Sequence, residues 1–357
     1  MSAPPRRTHR IAAIPGDGIG TEVLPAARRV LDAAGQQFAF SLEWTDLPWG
    51  CEYFTRTGRM MPEDGLDQLR EHDEIFLGAV GYPGVPDHVS LWGLLIPIRR
   101  AFEQYVNLRP VRLLRGIESP LRALPASGLD FIVVRENSEG EYSEIGGRFG
   151  RGTPGEMAIQ QSVFTRTGVE RIVRYAMRLA AGRSGRLASA TKSNGIIHTM
   201  PFWDQIVAEL TAGSGLDVST HHIDALAAMF VLDPGRFDVV VASNLFGDIL
   251  TDLGAAIIGS IGIAPSANIN PERRFPSMFE PVHGSAPDIA GKGVANPIGQ
   301  IWSGVMLLDH LGHGAAAAAI LDAVEATLAE DRVRTGDLGG TATTDQVAAA
   351  VIANLRV

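Results

Sequence analysis

The chain has 357 residues, 45% of them hydrophobic and 20% charged, with a formal net charge of -9 at pH 7. That length and apolar content allow a sizeable core and favour two domains of ordinary size, while the acidic balance argues against whole-molecule attraction to nucleic acid or to an anionic membrane. A single cysteine, Cys51, excludes a disulfide framework and a cysteine-rich metal centre within one chain and fits a reducing, cytoplasmic setting.

Residues 1–10 carry two prolines and three arginines, but the apolar stretch that follows, residues 11–14, is too short for a signal-peptide core, so export is not expected. No uncharged apolar run is long enough to cross a bilayer. Residues 10–14 predict a strand that ends in Pro15-Gly16-Asp17-Gly18-Ile19-Gly20, and residues 21–34 carry helical apolar spacing. Further buried, parallel-type strands are predicted at residues 74–81, 130–134 and 237–242, with an amphipathic helix over 169–181. Alternating strand and helix signals place the chain in the α/β class. Between 140 and 160, six glycines punctuate a polar segment and alternation resumes only around 157–164, which predicts a protruding arm.

Several groupings carry chemistry. Gly16, Gly18 and Gly20 form G-x-G-x-G, with Thr21 where a dinucleotide fingerprint needs its third glycine and no Walker lysine after it. A tight strand-to-helix turn and a phosphate cradle both remain open. Arg99, Arg100, Arg109 and Arg112 form a basic cluster, and Arg135 ends the predicted strand 130–134, where open α/β sheets place ligands. Solvated surface charge is the plain alternative, but guanidinium forks suit carboxylates, so convergent arginines would hold a dicarboxylic acid. Asp248 and Asp252 stand four apart, on one face of a helix if that stretch is helical, where like charges repel unless a cation sits between them. With Asp224 they would offer oxygen ligands to magnesium or manganese; the alternative is a helix cap at Asp248 and a solvated Asp252. Lys192 follows a small-residue strand end and is a candidate base, and Tyr142 is a further candidate; a surface lysine and a core tyrosine are the alternatives.

Five motifs occur in one order: Ile14 to Gly20, Asn107-Leu108-Arg109-Pro110, Arg135 to Tyr142, Asn244-Leu245-Phe246-Gly247-Asp248, and Glu280 to Asp288. Together, over roughly residues 11–352, they resemble the isocitrate/isopropylmalate dehydrogenase family. The stretches Asp87 to Gly93, Arg99 to Arg112 and Gly262 to Asn268 resemble its tartrate and decarboxylating D-malate dehydrogenase branch. The resemblance implies the isopropylmalate-dehydrogenase-like two-domain fold, not a Rossmann fold. Its cofactor-binding domain would comprise 1–104 plus 259–357, and its substrate, metal and dimerisation domain 105–258, with a dimerisation arm near 140–163.

It further implies NAD-dependent oxidation and decarboxylation of D-malate, to pyruvate and carbon dioxide, or of tartrate, with Mn2+ or Mg2+ and with K+ as an additional cation. Arg99, Arg109 and Arg135 would grip the distal carboxylate, Asp224, Asp248 and Asp252 would ligate the metal, Lys192 would act as base and Tyr142 would protonate the enol. One aspartate and the lysine would come from the partner of a homodimer. Ile14, Glu280, His283, Gly284, Ser285, Ala286, Asp288, Ile289, Ala295 and Asn296 would contact the cofactor, with Asp288 favouring NAD by bonding ribose hydroxyls and repelling a 2'-phosphate. Leu95 and Ile96 stand where isopropylmalate dehydrogenases place two leucines. Trp92 replaces a glutamate three residues before the first of these, which favours a substrate with little or no side chain over 3-isopropylmalate. A catalytically silent subunit of the family is not expected, because none of the metal, base or acid residues is missing.

Overall fold

The computed structural model describes residues 7–125, 128–330 and 332–355, so the first six residues of the arginine-bearing N-terminal stretch lie outside the described residues. Strands follow in the order β1 (Arg7–Gly16), β2 (Phe40–Asp46), β3 (Glu74–Ala79), β4 (Val106–Arg112), β5 (Asp130–Glu136), β6 (Gly146–Phe149), β7 (Met157–Gln160), β8 (Arg186–Thr191), β9 (Asp217–His222), β10 (Val239–Ala242), β11 (Pro265–Ile269) and β12 (Ser277–Pro281). The chain divides into two compact units. The first takes the described residues up to Gln104, Leu113–Pro120 and those from Ala255 onward; the second takes Tyr105–Arg112 and Leu121–Gly254. The sequence drew the second domain as one stretch, 105–258, and gave no hint that the chain leaves it for eight residues after β4.

In the first unit the strand order is β2-β1-β3-β12-β11, with β11 antiparallel to β12 and the others parallel. This differs from the doubly wound dinucleotide-binding sheet, in agreement with the failed glycine spacing. The strand β1 passes into the helix Gly20–Gln37 through a turn packed against two other backbones. Asp17 N–H donates to the Ala79 carbonyl at 2.7 Å, and Ile19 N–H to the Ser285 carbonyl at 2.8 Å. Gly18 is left-handed at φ +54, and a Cβ there would lie 2.1 Å from the Ser285 carbonyl oxygen. The glycines are therefore accounted for by a tight strand-to-helix turn that moors the loop starting at Ser285; Ile19 and Val23 then pack on Ala295 from the far end of that loop.

In the second unit the order is β4-β5-β10-β8-β9, with β4 antiparallel to β5 and the rest parallel. The run Val239–Ala242 is buried on both faces, which is why its sequence is uniformly apolar. The helix Arg166–Ala181 starts where the Thr165 side chain accepts from Gly168 N–H, and it buries Val169, Ile172, Val173, Ala176 and Ala180. Strands β6 and β7 form a separate antiparallel pair whose eight residues are all exposed, Phe149, Met157 and Ile159 among them.

Gly18→Ala and Gly58→Ala separate the two causes of glycine use in this unit, since Gly58 is also left-handed, at φ +78, but has nothing within 4 Å of a built Cβ. Gly58→Ala is expected to cost about 1 kcal/mol of backbone strain. Gly18→Ala should cost at least about 2 kcal/mol more because it also collides with backbone. Equal costs in urea-melt comparisons would mean that the mooring of the Ser285 loop is unimportant.

Candidate active site

The second unit centres on a buried guanidinium. Arg135 sits at the end of β5, opposite Asn107 on β4, and Arg109 lies two residues further along β4, so both side chains leave the same face of the sheet. Arg135 is 2% exposed. Next to it, β10 ends at Ala242 in register with Arg135, and the chain turns into the helix Asn244–Ile257. The Asn244 side-chain oxygen accepts from Arg135 Nε at 3.1 Å and Nη2 at 2.6 Å, and Arg135 Nη1 pairs with Asp248 one turn later. Gly247 is where the arginine stem crosses the helix: a Cβ there would lie 2.6 Å from Arg135 Cβ and Cγ.

Tyr142 reaches the same carboxylate because its neighbour is pinned to the helix start. The Glu141 carboxylate accepts from Leu245 N–H at 3.0 Å and Ser243 Oγ at 2.7 Å, taking up a backbone donor that the first helical turn leaves unpaired. Tyr142 then donates its hydroxyl to Asp248 Oδ2 at 2.8 Å. Arg109 Nη1 donates to Thr251 Oγ1 at 2.5 Å and lies 3.4 Å from Asp248 Oδ1. Asp248 is in the second turn and caps nothing. Asp252, one turn on and exposed, has its carboxyl raised by loss of water, an effect opposed by Arg109 and reinforced by Asp248.

Lys192 and Asp224 form a second grouping in this unit. Lys192 follows β8, and Asp224 begins the helix Ile223–Leu232 after β9, so the ends of two adjacent parallel strands bring Nζ within 2.7 Å of the carboxylate. The ammonium lowers the Asp224 carboxyl below its ordinary value. Among the described residues of one chain, no three His, Cys, Asp or Glu side chains gather in a metal-binding group, so Asp224 does not join Asp248 and Asp252. The elements carrying these groups expose large apolar side chains: Ile197 after Lys192, Leu232 at the end of the Asp224 helix, and Ile249 beside Asp248.

The first unit holds Arg99, 6% exposed, in the helix Ile96–Ala101. Its Nη2 donates to Glu280 Oε1 at 2.8 Å. Just before it, Pro97 lacks the N–H an α-helix needs, and Leu91–Leu95 forms a π turn in which Ile96 N–H reaches back to the Leu91 carbonyl. Regular spacing would stack Trp92 over Arg99, seven residues on. The wider turn rotates it, and its ring instead meets the exposed Arg100 guanidinium at 4.9 Å. Ile96 is buried and Leu95 packs on the core cluster of Ile98 and Phe102.

Of the residues expected at a cofactor, Ile14 is fully buried among Ile75 and Leu77, so its side chain belongs to the core. Ala295 is buried against Ile19 and Val23. Asn296 has its polar atoms engaged, donating to Asp337 at 3.0 Å and accepting from Ile298 N–H at 3.0 Å. Gly284 and Asp288 are exposed, Ala286 and Ile289 half-buried, and Ser285 buried; Ala286 is held at φ +40, a strained value for alanine. His283 Nδ1 meets the Gly284 carbonyl at 2.9 Å, its buried Nε2 has no partner, and desolvation lowers its pKa. Sequence reasoning passed over Asn244, Glu141, Thr251 and Asn268, although all but Thr251 lie inside motifs it quoted as wholes and Thr251 lies one residue from Asp252.

The family model for isocitrate/isopropylmalate dehydrogenase matches residues 10–351. A probable tartrate dehydrogenase/decarboxylase of Bacillus subtilis (strain 168) is 56% identical over 349 residues, covering 97% of this chain and 98% of that protein. A decarboxylating D-malate dehydrogenase of Escherichia coli (strain K12) is 56% identical over 354 residues, with the same coverage. Among solved structures, an isocitrate dehydrogenase from Methylococcus capsulatus superposes with a TM-score of 0.88 at 34% identity, covering 98% of this chain and 100% of that one.

Removing the Asn244 acceptor leaves two donors of a buried guanidinium without it. Asn244→Ala is expected to lose about 1–3 kcal/mol, while Asn244→Asp, which keeps the acceptor, retains most of the stability. Thermal unfolding decides this, and similar melting temperatures for Asn244→Ala and wild type would count against the cage.

Proposed function

This chain belongs to the isocitrate/isopropylmalate dehydrogenase family, and we propose that it oxidises and decarboxylates D-malate or tartrate with NAD and a divalent metal ion. The observation that carries the reading is the Asp248 carboxylate, held by Arg135, Arg109 and Tyr142 with Asp252 one turn along the same helix. The names of its relatives support the same substrates.

The donor set fits a hard divalent ion: Asp248 and Asp252 offer oxygens only, and a carboxylate keeps lone pairs to share after accepting from a guanidinium and a phenol. Asp224 would complete the set from a second copy, with Lys192 beside it. The exposed Ile197, Leu232 and Ile249 on those same elements, and the apolar residues of β6 and β7, support a self-complementary dimer. When bound, the divalent ion supplies Lewis-acid polarisation and NAD the hydride acceptor.

This chain's own residues then have distinct tasks. Arg109 and Arg135 hold the carboxylate distal to the hydroxyl carbon, and Arg99 is a further carboxylate-binding group. Lys192 Nζ takes the proton of the 2-hydroxyl, for which it must first be neutral. The Tyr142 hydroxyl, which donates to Asp248 in this structure, returns a proton to the carbon that loses carbon dioxide. In the first unit the exposed Asp288 carboxylate bonds ribose hydroxyls and disfavours NADP, in a loop with His283, Gly284, Ser285, Ala286 and Ile289, of which Ala286 and Ile289 pack on the cluster that contains Ala295. The bulk of Trp92 favours a substrate without a branched substituent. Potassium is the proposed additional cation, and the cytoplasm the proposed setting; among the described residues no helix is long and apolar enough to cross a membrane.

NADH formation with manganese and potassium, offering D-malate, L-tartrate, meso-tartrate, 3-isopropylmalate and isocitrate in parallel, tests the reading. D-malate or a tartrate should show the highest kcat/KM, chelation should abolish turnover, and Lys192→Met and Asp248→Asn should each lower kcat by roughly a thousandfold or more. A higher kcat/KM for 3-isopropylmalate would overturn the assignment of substrate, and turnover in excess chelator that of the metal.

A further inference from the structure

The chemistry around Arg99 in the first unit goes beyond a simple ion pair. Glu280 stands on β12 and Asn268 on β11, whose register places Asn268 opposite Met278, diagonal to Glu280. Asn268 is 0% exposed; its Nδ2 donates to Glu280 Oε1 at 2.7 Å and lies 3.3 Å from the Met278 carbonyl. Arg99 Nη2 donates to that same Oε1 at 2.8 Å. One carboxylate oxygen thus accepts both donors, and Oε2 makes no hydrogen bond among the described residues. Arg99 Nε is buried and also without a partner.

This arrangement is not the one an isolated guanidinium–carboxylate pair prefers. Such pairs favour two parallel hydrogen bonds, because the planar fork of one matches the two oxygens of the other. A carboxylate 7% exposed, facing a buried arginine with an unsatisfied Nε, would be expected to turn and engage both edges unless something held it. Asn268 is the group that holds it.

We infer that Asn268 is a positioning residue that keeps Glu280 bound to Arg99 through a single oxygen, so that the rest of the guanidinium stays available for the carboxylate of a bound hydroxy acid. The inference rests on the proposed role of Arg99 in substrate binding. It makes a prediction of unusual sign: without the Asn268 amide, Glu280 competes with the ligand, and neutralising Glu280 relieves the competition.

The test compares wild type, Asn268→Leu, Glu280→Gln and the double variant. D-malate binding is measured by calorimetry with manganese and without NAD, and steady-state KM and kcat are measured alongside. Asn268→Leu should weaken D-malate binding and raise its KM about tenfold, with the KM for NAD unchanged within about twofold. The double variant should bind D-malate more tightly than Asn268→Leu does. Binding by Asn268→Leu within about twofold of wild type overturns the inference, as does a double variant weaker than both single ones, which would mean ordinary packing damage. If wild type binds none of the acids in the panel, the functional reading fails, and the inference is judged on melting temperatures alone. Glu280→Gln should then cost more in the Asn268→Leu background than in wild type, and equal costs overturn it.

Discussion

Burying a guanidinium is the constraint around which the second unit is built. Arg135 cannot shed its charge, and removing it from water costs several kcal/mol, roughly, unless its donors are met. Three of them are met by two residues one helical turn apart, Asn244 and Asp248, so the helix Asn244–Ile257 must begin immediately after β10 and run past the end of β5. Gly247 follows from the same demand, since the arginine stem occupies the space its Cβ would take. Glu141 then fixes the helix start, and the chain beyond it has no choice but to lay Tyr142 against Asp248. The five residues Asn244 to Asp248 are one packing problem solved in sequence order.

Such cages are poor sources of net stability, because desolvation offsets most of the attraction. Their value lies in fixing geometry before a ligand arrives. The first unit repeats the device with different parts: Arg99 is buried, Glu280 supplies the charge, and Asn268 supplies the amide. In the second unit the amide oxygen accepts from the guanidinium directly; in the first the amide nitrogen donates to the carboxylate. The first arrangement satisfies the arginine, whereas the second limits how much of it the protein satisfies.

How much of this was legible in the sequence depended on whether a local pattern carried it. The buried runs at 130–134 and 237–242 were readable because such strands leave short continuous apolar runs, and the helix over 169–181 because burial on one stripe leaves a helical period. The glycine loop was readable as a turn, yet the reason for it, the backbone of Ser285, lies far away in sequence. Trp92 shows one limit: Pro97 is visible in the sequence, but the π turn over Leu91–Leu95 and the contact of the Trp92 ring with Arg100 leave no local pattern. Ile14 shows another limit, for a residue beside a candidate ligand loop can still point into the core. The excursion Leu113–Pro120 left no compositional mark at all.

Lys192 and Asp224 pose the remaining physical question. A lysine that is to take a proton must spend part of each cycle neutral, and here its Nζ donates to a carboxylate oxygen at 2.7 Å. The pair is open to solvent, which screens the attraction. Asp224 is the more exposed partner, at 68% against 29% for the lysine side chain, and it stands on a helix whose end exposes Leu232. Covering that apolar surface with a second copy would dehydrate the pair and strengthen the attraction, unless positive charge on the other side drew the carboxylate away. In an isolated chain Lys192 therefore has Asp224 as its neighbour and a solvent-facing surface beside it, and on the proposed reading assembly is what changes those surroundings.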